Sequence, residues 1–150
     1  MAGRQTGPGY AVVRPLFLDS NVPILAFGAA SPLCDACRAV LAAGSAGLAR
    51  LHLSVEGGQE FLFHRLRRTG DPGRAAREFA LLDGGVVWHP FDDDILRAAA
   101  DVVGRGQLRG RDAVHAVTAV RAGFTEFVSL DPDFDAAPGL TRLDPRDLRF

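Results

Sequence analysis

Short apolar runs that stop abruptly at an acid alternate along this chain with longer stretches whose apolar residues recur every three or four positions. Pro15-Leu16-Phe17-Leu18 runs into Asp19, and Glu126-Phe127-Val128-Ser129-Leu130 runs into Asp131. Such a run is what a strand buried on both faces looks like, and the acid then stands at its C-terminal edge, where α/β proteins place their chemistry. The pattern predicts strands at 16–19, 50–53, 86–89, 127–130 and near 141–143. It predicts helices at 22–27, 32–43, 55–68, 72–82, 92–104 and 111–122. Ser31-Pro32 and Asp71-Pro72 mark helix starts, since proline is tolerated in a first turn. Strands alternating with helices imply an α/β fold, a short parallel sheet covered by helices on both faces.

Two of the helices carry acids. After the capping Ser54, apolar spacing through Val55, Gln59, Leu62 and Leu66 predicts a core stripe, and Glu60 adjoins it. Further on, Val114, Val117 and Val120 share a face, Gly123 supplies a stop, and Asp112 falls in the first turn. An acid in a first turn ordinarily serves the helix dipole, worth about 0.3–1 kcal/mol, and acids after strands are often loop residues. Four acids converging on one sheet edge are another matter. Clustered carboxylates raise one another's pKa unless a cation compensates, and hard oxygen donors select Mg²⁺ or Mn²⁺ over zinc.

The stretches Leu18-Asp19-Ser20-Asn21-Val22, Ser54-Val55-Glu56-Gly57-Gly58-Gln59-Glu60-Phe61-Leu62, Arg111-Asp112-Ala113-Val114-His115-Ala116 and Ser129-Leu130-Asp131-Pro132-Asp133-Phe134 together resemble the PIN-domain ribonucleases, and among them the VapC-type toxins of toxin–antitoxin pairs. The resemblance runs from about Leu16 to Leu143-Asp144-Pro145. It implies a PIN-like three-layer α/β/α fold with Asp19, Glu60, Asp112 and Asp131 as catalytic and metal-site residues, and Asn21 and Ser129 as hydrogen-bonding supports. Asp133 and Asp135 rival Asp131, and Glu56 rivals Glu60. Asp133 and Asp135 rank lower because they flank Phe134, which reads as a core anchor. Gly57-Gly58 departs from the family's larger apolar residues; two glycines inside a helix cost roughly 1 kcal/mol each, so that turn is loose or packs very close to a neighbour.

The activity implied is Mg²⁺- or Mn²⁺-dependent hydrolysis of phosphodiester bonds in RNA, with tRNA or rRNA as substrate. The partners implied are a small VapB-like antitoxin and a second copy of the chain. An antitoxin arginine would suit the acidic groove, with segments 26–33 and 61–66 as the surface for the rest of its tail. A housekeeping RNA-processing nuclease and an inactive PIN scaffold used for protein interaction are the alternatives.

Composition limits these readings. A chain of 150 residues with 47% apolar content builds one core. Residues 1–14, without a signal peptide's apolar stretch, are expected to be a disordered leader to a single domain at 15–150. No run approaches membrane-spanning length, and a cytoplasmic protein is expected. A net charge of −1 excludes a broadly electropositive nucleic-acid binder. All seventeen positive residues are arginine, which removes the lysine that phosphoryl-aspartate enzymes require. Arg65, Arg67 and Arg68, and Arg105, Arg109 and Arg111, are candidates to border the acids, with Arg111 nearest to one. Cys34 and Cys37 lack the second pair of a zinc site and read as small buried residues at i and i+3 of a helix. His115 lies one turn after Asp112, within reach of the site or of a hydrogen bond in the core.

Overall fold

The computed structural model describes residues 12–150. Strand β1 spans Arg14–Phe17, α1 Asn21–Ala26, α2 Pro32–Ser45, β2 Ala49–Ser54, α3 Val55–Thr69 and α4 Pro72–Asp83. There follow β3 Val86–His89, α5 Asp93–Gly104, α6 Gly110–Arg121, β4 Glu126–Val128 and β5 Thr141–Leu143, with 3₁₀ turns at Pro132–Ala136 and Pro145–Asp147. Of the segment read as a leader, residues 1–11 lie outside the described region, whereas Arg14 opens β1.

Strands β1, β2 and β3 pair in parallel in that order, with Leu16 beside Leu51 and Leu51 beside Val86. Strands β4 and β5 form a second parallel pair. A parallel bridge between Leu18 and Val128, with Asp19 N–H donating to the Val128 carbonyl at 2.8 Å, joins the two sets. The order across the sheet is therefore β3-β2-β1-β4-β5. The chain reverses its winding direction between β1 and β4, and the crevice beyond their C-terminal ends is the place where such sheets bind ligands.

Alternation along β1 divides the core. Leu16 and Leu18 pack on one face with Leu51, Leu53, Val22, Val40 and Phe61. Phe17 points to the other, with Phe127, Ile95, Val114 and Phe134. Phe134 is 4.6 Å from Phe127 between ring centroids and anchors the turn after β4. Cys34 and Cys37 are free and buried. Ser31, Ser54, Asp71 and Asp92 each accept an N–H of the first turn they precede.

Helix α3 corrects the sequence reading. Val55, Leu62 and Leu66 are exposed, and the buried face is Gly57, Gly58, Phe61 and Arg65. Scoring side chains by hydropathy hides such a face, because glycine carries none and arginine counts as polar. A Cβ on Gly58 would lie 2.7 Å from the Trp88 ring, so the glycine permits α3 to sit directly on β3. Arg65, only 3% exposed, donates to Glu78 of α4 at 2.6 and 3.2 Å. It holds the α3–α4 hairpin together and does not border the acids. Val120, expected in the core, is exposed near the end of α6.

Candidate active site

Asp19 follows Leu18 just past the end of β1 and is 4% exposed. Ser129, just past β4, donates to Asp19 Oδ2 at 2.6 Å and accepts from Asp131 N–H at 3.0 Å and Asn21 Nδ2 at 3.3 Å. One hydroxyl thus ties together the ends of β1 and β4 and the start of α1. Burial pushes the Asp19 carboxyl above its ordinary range, and Glu60's charge adds to that rise, against the opposing pull of His115 and the Ser129 hydrogen bond.

Glu60, one turn into α3, faces the same crevice. Its Oε2 accepts from Ser20 Oγ and lies 3.2 Å from His115 Nε2, and its Oε1 lies 3.1 Å from Arg111 Nε. Burial works to raise Glu60, but the hydrogen bonds from His115 and Ser20, and the charges of His115 and Arg111, outweigh it and hold the acid below its usual range. Ser20 Oγ is also 3.4 Å from Asp19 Oδ1, so this hydroxyl stands between the two acids.

Asp112, in the first turn of α6, is pushed up to about 6, by burial first and then by the charges of Asp19, Asp131 and Glu60. The other three sequence-selected acids thus all bear on Asp112, and Glu60 also bears on Asp19. Asp131 caps the following 3₁₀ turn by accepting Asp133 N–H at 2.9 Å. Of the rivals, the Asp133 side chain is exposed, Asp135 pairs with Arg142 at 2.8 Å, and among the described residues Glu56 shares no hydrogen bond with the four.

The donor set suits a hard divalent cation. Asp19, Asp131 and Glu60 bear on Asp112, His115 and Arg111 stand beside Glu60, and among the described residues Asn21 Oδ1 is a buried oxygen with no hydrogen-bond partner. Among the described residues no three of these groups are drawn into a ready-made metal cage; Glu60 is turned onto its protein partners instead. Ser20 and Ser54 escaped notice as site residues. Ser20 adjoins Asp19 in sequence, which was an available signal; Ser54 read only as a helix cap.

Fold and site define an α/β domain with acids gathered where the sheet's winding reverses. A sequence model of the PIN domain matches residues 16–140, and the chain belongs to the PIN domain family. No curated protein matches it significantly in sequence. Among solved structures it resembles VapBC2 from Rickettsia felis bound to a DNA fragment from their promoter, with a TM-score of 0.67 at 12% identity over 87% of this chain and 98% of that one. It also resembles a toxin–antitoxin complex from Klebsiella pneumoniae, with a TM-score of 0.64 at 17% identity over 87% and 97% of the two chains. A third is VapBC-1 from nontypeable Haemophilus influenzae, with a TM-score of 0.63 at 17% identity over 87% and 98%. At these identities the likeness is one of fold.

Proposed function

We propose that this chain is a divalent-metal-dependent endoribonuclease acting in the cytoplasm as the toxin of a VapBC-type toxin–antitoxin pair. The carrying observation is Asp112, raised to about 6 by burial first and then by the charges of Asp19, Asp131 and Glu60, beside the crevice between β1 and β4. Membership of the PIN family and likeness in fold to toxin–antitoxin complexes support the reading.

Asp19, Asp112 and Asp131 would hold Mg²⁺ or Mn²⁺ with Glu60 alongside. When bound, the ion lowers the pKa of the attacking water and offsets charge on the phosphate. Ser129, which Asn21 holds by donating to its hydroxyl, donates to Asp19 Oδ2 and so fixes that carboxylate. Arg111, 60% exposed at the rim, is placed to pair with an RNA phosphate once it leaves Glu60. Nothing in this arrangement requires a covalent nucleophile from the protein.

Two partners follow. A VapB-like antitoxin would lay its tail over the exposed apolar surface of α3, where Leu62, Phe63 and Leu66 stand open, and over segment 26–33, delivering an arginine to the acids. A homodimer is the expected assembly.

Asp19→Asn tests the reading. The substitution removes a charge that is costly to bury, so its melting temperature should equal or exceed that of the wild type. Its Mg²⁺-dependent RNA cleavage should vanish, as wild-type cleavage should in excess EDTA. Expressed without a partner, the wild type should arrest growth of its host and Asp19→Asn should not. Full activity in EDTA sinks the metal site. Harmless abundant wild type that still cleaves RNA favours a processing nuclease, and wild type without cleavage favours an inactive scaffold.

A further inference from the structure

We infer that Ser54 and His115 form a buried brace that sets the orientation of the Glu60 carboxylate, with His115 a positioning residue of the acid centre; this rests on the proposed role of Glu60 in a divalent-metal site. The brace crosses three elements. Ser54 ends β2, His115 lies on α6 and Glu60 on α3. Ser54 Oγ accepts from Gly57 N–H at 3.0 Å and shares a hydrogen bond with His115 Nδ1 at 2.8 Å. Because a carboxylate only accepts, Nε2 is the donor to Glu60 Oε2 at 3.2 Å whether or not Nδ1 carries a proton.

A histidine kept only for core packing needs partners for two ring nitrogens, and any backbone carbonyl or hydroxyl serves. Here one nitrogen is anchored on a serine that is 1% exposed, and the other is spent on a proposed site acid. Glutamate has one more rotatable bond than aspartate and sits on a helix rather than at a strand end, so it gains most from an external brace. Gly57 adjoins the brace: a Cβ there would lie 3.2 Å from Ser54 Oγ, tighter than ordinary contact.

Three chains test the inference: His115→Leu, which fills the volume without a donor, His115→Gln, whose amide reaches the position of Nε2, and His115→Leu in a Glu60→Gln background. Mn²⁺ affinity is read from the electron paramagnetic resonance of free Mn²⁺, alongside kcat, KM and a melting curve. Loss of a partner that orients a metal-site group costs about 10–100-fold, so His115→Leu should weaken Mn²⁺ binding and lower kcat by that order with KM little changed. His115→Gln should restore most of the loss. Against Glu60→Gln the leucine should cost less than about threefold, because residues that act through one another are not additive. Equal behaviour of the leucine and glutamine variants overturns the brace, as does an undiminished loss in the Glu60→Gln background.

Proton NMR of the imidazole gives a metal-independent readout. The brace requires a downfield, slowly exchanging His115 Nε2–H that moves upfield in Glu60→Gln. If wild type binds no Mn²⁺ and cuts no RNA, the proposed function falls, and this resonance alone decides the brace: its presence upholds the geometry and its absence overturns it. Should His115→Leu fail to fold, the glutamine variant and the resonance decide.

Discussion

At the residue scale the balance is between burial and charge. Asp112 is raised to about 6 from an ordinary 3.8. Between those values the folded chain holds a proton that the unfolded chain has released, so Asp112 makes metal-free protein less stable as pH rises through that window. A melting series in EDTA from about pH 4 to pH 7 should show this decline, and Asp112→Asn should flatten it. Added Mg²⁺ should raise the melting temperature more at pH 7 than at pH 5, because binding must displace the proton. The choice among the acids after β4 is open to the same kind of comparison. Asp131→Asn keeps the cap on Asp133 N–H yet removes the charge that bears on Asp112, so cleavage should drop by orders of magnitude. Asp133→Ala, Asp83→Ala and Asp147→Ala should cleave within a few-fold of wild type. Equal losses in both groups would overturn the assignment.

At the scale of elements, α3 is fixed by what it leaves out and by one buried ion pair. Gly58→Ala drives a methyl to 2.7 Å from the Trp88 ring, where neither the strand nor the indole can yield freely. Overpacking of this kind costs about 1–3 kcal/mol, and both urea unfolding and Trp88 fluorescence should register it. Arg65 and Glu78 are 4% and 12% exposed in their side chains, and Arg74, which shares Glu78, is 56% exposed. Glu78→Ala should therefore cost about 3–5 kcal/mol by stranding a buried guanidinium. Arg74→Ala removes only a solvated partner and should cost under about 1 kcal/mol. Equal effects would mean that Arg65 finds water or another acceptor. Both measurements concern stability, since this pair lies away from the acids.

At the scale of the whole molecule, the acids open on one edge of the sheet and the unpaired apolar surface of α3 lies beside them. Phe63 is 60% exposed, and a cavity of about 410 Å³ bounded by Val55, Leu62, Phe79 and Trp88 continues the surface toward β3. A charge at an exposed position changes stability by less than about 0.5 kcal/mol. Phe63→Glu should thus leave melting and RNA cleavage unchanged while weakening capture by the cognate antitoxin in calorimetry. The toxicity of this variant should then persist when the antitoxin is co-expressed. Unchanged antitoxin affinity would remove α3 from the proposed surface. No helix among the described residues is long and apolar enough to cross a membrane.

The sequence by itself determined the order and type of the elements, because a period near two or near 3.6 is a local property, and capping residues and glycines mark where it changes. The places of Asp19, Asp112 and Asp131 at the edges of elements were legible for the same reason. Tertiary structure alone decided the rest. The face of α3 that is buried depends on Trp88 and Glu78, far away in sequence, so Val55, Leu62 and Leu66 gave a helical period without giving its direction. Arg65 fell from a candidate site residue to a hairpin tie once Glu78 stood opposite it. The joining of β4 to β1 brought Ser129 onto Asp19, 110 positions apart. The packing of α6 against α3 and β2 set His115 between Ser54 and Glu60, a contact that exists only where three elements meet and that no local period encodes.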